Sequence, residues 1–74
     1  MNIDFVDKLV NATREDIDRF QKNFECVRKA HGLSSDGMAA LLGLTRQTIR
    51  NLEIGRTTMS KTEFIAIQTV LYFY

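Results

Sequence analysis

The chain has no proline and no tryptophan, one cysteine, one histidine and four glycines among its 74 residues. Without proline, no helix is interrupted by a missing amide donor or a ring clash. One cysteine, Cys26, excludes an internal disulfide, and no Cys/His grouping has zinc-ligand spacing. Cys26 falls off the apolar face of its helix and reads as an ordinary reduced thiol. His31 stands at a predicted helix end, where positive charge is mildly favoured, with no neighbour that suggests catalysis or metal binding. No apolar run approaches the roughly eighteen residues that cross a bilayer. The start carries Asp4 and Asp7 where a secretory leader would carry basic residues. Alternating apolar and polar residues, the mark of a half-buried strand, are also missing. There is no nucleophile–base pair and no carboxylate pair facing a pocket, so an enzyme is not expected, nor is a metal or cofactor. What remains is one small all-α domain, expected in the cytoplasm and near the lower size limit for a core that stands alone.

The most informative stretch is Ser34 to Gly55. Ser34 is a helix N-cap, because its hydroxyl can accept from a free amide of the first turn. Met38, Ala39, Leu41 and Leu42 then repeat at helical spacing, and Gly43 sits where that helix must stop. Leu44 follows and is expected to fill the corner. Thr45 caps a second helix, which turns Ile49 and Leu52 inward and stops near Gly55. Two helices around a Gly-containing turn make a helix-turn-helix.

Stepping roughly 100° per residue from Ile49 places Leu52 beside it and Gln47, Arg50 and Asn51 on the far side. Arg46 and Thr48 flank that polar patch. Arg can bond guanine O6 and N7 in the major groove, and Gln or Asn can bond adenine N6 and N7. The base-contact candidates are therefore Arg46, Gln47, Arg50 and Asn51. The helix N-terminus with the Thr45 hydroxyl suits a phosphate.

These residues carry a resemblance. Arg28, Gly32-Leu33-Ser34, Ala39, Gly43-Leu44-Thr45, Thr48-Ile49 and Leu52-Glu53-Ile54-Gly55 stand in order and without gaps. The chain from 24 to 71 resembles the Cro/CI-type helix-turn-helix family of phage and bacterial repressors, also called XRE-like. That implies a small lambda-repressor-like helical bundle, here with an extra N-terminal helix. It also implies an ion pair between Arg28 and Glu53 beneath the recognition helix, and a loop after that helix lying on the sugar-phosphate backbone. Phosphate candidates on this reading are Ser35, Thr45, Thr48, Arg56, Thr57, Thr58 and Lys61. Ser35 stands where the family often has a longer Gln, and Gly37 is unusual inside the scaffold helix.

The rest of the chain divides into an N-terminal extension, 1–12, and the domain proper, 13–74. A short helix over 3–10 carries Phe5, Val6, Leu9 and Val10 on one side. A longer helix is expected from Thr13 to Gly32, with Glu15 and Asp16 in its first turn and Ile17, Phe20, Phe24 and Val27 as its core stripe. Ser60-Lys61-Thr62-Glu63 is a capping box that opens the last helix, where Phe64, Ile67 and Leu71 face inward. Val70-Leu71-Tyr72-Phe73-Tyr74 are more apolar neighbours than one core can take. The N-terminal helix could cover them, a second subunit could, or the chain could head a longer protein; a homodimer is the favoured expectation.

Net charge is only +1, but it is unevenly placed. Residues 1–25 hold four Lys/Arg against six Asp/Glu, and 26–74 hold six against three. Arg46, Arg50, Arg56 and Lys61 surround the recognition helix with only Glu53 among them in sequence. The expected function is sequence-specific double-stranded DNA binding by a transcriptional regulator, a repressor by family. The alternative is a protein-interaction module on the same fold, antitoxin-like, antirepressor or adaptor, which the acidic first third and low net charge favour.

Overall fold

The computed structural model describes residues 3–74; Met1 and Asn2, the start of the expected extension, lie outside the described residues. Six helices follow in order: α1 Ile3–Val10, α2 Arg14–Lys22, α3 Phe24–Ala30, α4 Ser35–Leu42, α5 Arg46–Glu53 and α6 Lys61–Phe73. Among the described residues there is no strand, and no helix is long and apolar enough to cross a membrane.

The helix starts follow from local chemistry. Ser34 Oγ accepts from Gly37 N at 2.9 Å, and Thr45 Oγ1 from Thr48 N at 3.2 Å. Ser60 and Glu63 exchange backbone bonds of 3.0 and 2.8 Å, and Thr13 and Asp16 do the same at 3.1 and 2.9 Å. Each bond satisfies an amide that the helix itself leaves free. The two turns around α5 close alike. Leu44 N reaches back to Ala39 O and Arg56 N to Asn51 O, both at 2.9 Å, across glycines whose φ values are +70° at Gly43 and +76° at Gly55. A side chain at either position would be strained by that left-handed backbone.

The expected helix from Thr13 to Gly32 is broken at Asn23. Asn23 Nδ2 donates to Arg19 O at 3.0 Å, and its backbone amide turns to Phe20 O, also at 3.0 Å. A short amide side chain that bonds the preceding turn offers the backbone an alternative to continuing the helix. The break leaves the aromatic stripe intact. Phe20 packs on Phe24 and Phe64, with ring centroids 5.8 and 5.5 Å away.

The core gathers Ile17, Phe24, Leu33, Met38, Ala39, Ile49, Leu52, Met59, Phe64, Ile67 and Leu71. Each fully buried aliphatic or aromatic side chain contributes about 1.5–3 kcal/mol relative to exposure. Leu41 is not among them: it is 53% exposed, because it lies more than a quarter turn from the face shared by Met38, Ala39 and Leu42. Leu44 is 38% exposed and so does not fill the corner as expected. Met59, on the loop after α5, is by contrast fully buried.

Helix α1 packs on α6. Leu9 joins the core, and the Phe5 ring lies 4.4 Å from that of Tyr72. Lys61 Nζ donates to the Val10 carbonyl and ties the end of α1 to the start of α6. Val6 and Val10, expected on the packed side of α1, are exposed, as are Phe73 and Tyr74. The N-terminal helix therefore covers part of the surplus apolar surface at the end of the chain, and part stays open.

Candidate nucleic-acid interface

Helix α5 is short, and its burial is one-sided. Ile49 and Leu52 are 0% and 1% exposed, while Arg46, Gln47 and Arg50 are exposed and Thr48 and Asn51 half-buried. Helix α4 packs along it, and α2 and α3 contact it from behind.

Beneath α5 lies a buried charge pair. Arg28 Nε donates to Glu53 Oε2 at 2.5 Å, and the two side chains are 6% and 0% exposed. Arg28 Nη2 is 3.5 Å from Glu53 Oε1, and Nη1 donates to Leu33 O at 2.7 Å. Removing two charges from water largely cancels their attraction, so the pair links α5 to α3 while adding little net stability. The Leu33 bond extends that link to the turn before α4.

The amides of the polar face are joined to each other. Gln47 Nε2 donates to Asn51 Oδ1 at 2.9 Å, which leaves Gln47 Oε1 and Asn51 Nδ2 as the outward acceptor and donor. Thr45 and Thr48 share a 2.9 Å hydroxyl bond at the helix N-terminus. Ser35 opens α4, half-buried, just after the Ser34 cap. Arg56, Thr57 and Thr58 are exposed on the loop after α5, and no hydrogen bond or ion pair is described for the Arg56 guanidinium. Lys61 is not grouped with them by any described contact; its bond is to α1.

One sequence reading needs correction. The basic residues of α5 are not free of carboxylates other than Glu53. Asp36 Oδ1 lies 3.3 Å from Arg46 Nε, and Glu25 Oε2 lies 3.2 Å from Arg50 Nη1. Helix packing brings the first turns of α3 and α4 beside α5, which separation along the chain conceals. Glu25 also pairs with Lys29 at 3.3 Å. The hydrogen bond and charge of Lys29 hold the Glu25 carboxyl below its usual range, with Arg50 and Arg28 adding to the effect.

Sequence reasoning also missed what holds the loop. Gln21 Oε1 accepts from Met59 N, and its Nε2 donates to Leu52 O and Thr57 O at 2.9 and 2.7 Å. Arg14 Nη2 donates to Met59 O at 2.6 Å. Thr57 and Thr58 edge an open groove whose other wall carries Arg14, Gln21 and Lys22. The one available signal was Gln21 itself, an amide beside the Ile17–Phe24 stripe and therefore close to the buried side.

A cluster of three or more His, Cys, Asp or Glu able to hold a metal does not occur among the described residues. No curated protein and no solved structure matches the chain. A helix-turn-helix family profile matches residues 27–71, from α3 through most of α6. The capped pair α4–α5, its glycine turn and that match together place this chain in the XRE-like helix-turn-helix family of DNA-binding regulators.

Proposed function

We propose that the protein is a sequence-specific regulator of transcription, a repressor acting in the cytoplasm of a bacterium or on behalf of a phage, that lays α5 in the DNA major groove. The observation that carries this reading is the one-sidedness of α5: Arg46, Gln47 and Arg50 stand outward above a buried Ile49 and Leu52. Arg46 and Arg50 supply guanidinium forks suited to guanine, and the joined Gln47–Asn51 amides present an acceptor and a donor suited to adenine. Thr45, at the positive end of the helix dipole, suits a phosphate, as do Thr48 in the first turn, Ser35 at the start of α4, and Arg56, Thr57 and Thr58 on the loop past the other end of α5. Phosphate contacts set register and supply affinity; base contacts supply discrimination. Lys61 stays with α1 unless DNA draws its ammonium off the Val10 carbonyl.

A second copy would place two recognition helices about one DNA turn apart and read a palindrome. The exposed apolar end made by Tyr72, Phe73 and Tyr74 is the surface assigned to that copy. Sedimentation of the protein at rising concentration tests it.

A second reading is favoured by the carboxylates at Arg46 and Arg50: a protein-interaction module that has given up DNA. Retention on random duplex DNA at low salt separates the two. The regulator is retained and elutes as salt rises; a folded protein that flows through supports the interaction module.

A further inference from the structure

We infer that Glu25, which lies on α3 outside the helix-turn-helix itself, is a positioning residue that fixes which base edge Arg50 reads. The inference rests on the DNA-binding reading above. Arg50 Nη1 lies 3.2 Å from Glu25 Oε2 and 3.6 Å from Glu53 Oε1. Among the described residues Arg50 Nε and Nη2 make no hydrogen bond. The edge formed by Nε and Nη2 is therefore open, and a two-donor edge of this kind matches the paired acceptors of guanine.

The brace is itself anchored. Glu25 Oε2 lies 3.3 Å from Lys29 Nζ and 4.0 Å from Arg28 Nη2, and Arg28 is seated on the buried Glu53. A run of alternating charges thus leads from the core to the surface and ends at Arg50. Arg50 and Glu25 are 51% and 41% exposed, so their contact adds little to folding stability. Its effect falls on binding instead. A long side chain ordered before contact loses less freedom on contact. An arginine without the brace still attracts phosphate and any acceptor within reach, so it binds more widely and discriminates less. Glu25 also places a negative charge near the DNA, which lowers affinity for every sequence.

The test compares the duplex that the wild-type protein selects from a random pool with an unselected duplex, titrating wild type, Glu25→Ala, Glu25→Asp, Arg50→Ala and the Glu25→Ala/Arg50→Ala double variant. Glu25→Ala is expected to bind the unselected duplex more tightly. Its selected-to-unselected ratio should fall about fivefold or more, the lower end of what one guanidinium–guanine pair discriminates. Glu25→Asp keeps the charge but shortens the reach: its ratio should fall while unselected binding stays near wild type. In the Arg50→Ala background, Glu25→Ala should leave the ratio unchanged. An equal gain on both duplexes with an unchanged ratio would show that Glu25 only repels phosphate, and would overturn the proposal. Wild-type protein that selects no duplex would instead overturn the DNA reading on which it stands.

Discussion

Gln21 Oε1 accepts the Met59 amide at 3.0 Å, and this bond joins α2 to the segment that follows the recognition helix. The same side chain caps the Leu52 and Thr57 carbonyls, so one amide satisfies three backbone groups across the end of α5. Gln21→Ala should cost about 1–3 kcal/mol, because the partly buried Met59 amide is left without its partner. Met59→Ala should cost about 2–5 kcal/mol by opening a cavity under the loop. Urea denaturation of both variants checks this; a change of a few tenths for either would contradict the role given to the loop anchor.

The Arg28–Glu53 pair makes a different prediction. Glu53→Ala leaves a buried guanidinium without its partner and should cost about 3–5 kcal/mol. Replacing both residues with apolar side chains of similar size, Arg28→Met with Glu53→Leu, should cost far less. The double variant should nevertheless lose DNA discrimination, since the pair orients α5. Thermal melts and duplex titrations separate the two effects. Full discrimination by a stable double variant would contradict the orienting role.

Gln47→Ala and Arg56→Ala should fail in opposite ways. The first should reduce binding to the selected duplex by about 1–3 kcal/mol while leaving random duplex nearly untouched. The second should weaken binding to all sequences alike and reduce the salt slope by about one. Titrations at several salt concentrations read both. Equal losses on selected and random DNA for Gln47→Ala would remove it from the base-reading set.

Acid should find two weak points. The Thr13 amide and hydroxyl bonds hold the Asp16 carboxyl below its usual range, and Lys29 does so for Glu25. A depressed folded value means that the folded state resists protonation. The contribution is full above the unfolded values, about pH 4, and is lost as pH falls through the lower folded values. Asp16→Asn and Glu25→Gln should flatten the decline of stability below about pH 4.5. Urea midpoints measured across that range check it; an unchanged acid limb in both variants would contradict the assignment.

Much of this molecule was legible in the sequence because its signals are local. Ser34, Thr45 and the Ser60–Glu63 box act within four residues, and Gly43 and Gly55 announce backbone that only glycine adopts easily. The inward side of α5 followed from angular spacing alone. What stayed hidden depends on which helices become neighbours. Asn23 looks like any polar helix position until its side chain takes the Arg19 carbonyl. Met59 reads as a loop residue, yet it is wholly buried. Gln21 reaches Met59, and Glu25 reaches Arg50, across long stretches of chain that no periodicity links. The candidate site was thus readable as a list of side chains, but not as the charge network that holds them.

The most direct test follows the backbone amide signals of the protein in solution as the selected duplex is added. The account predicts that the largest shifts fall on residues 45–51, with smaller ones at 35 and 56–58, and that α1 stays largely unperturbed. Shifts concentrated on α1 and Tyr72–Tyr74, with 45–51 silent, would contradict it.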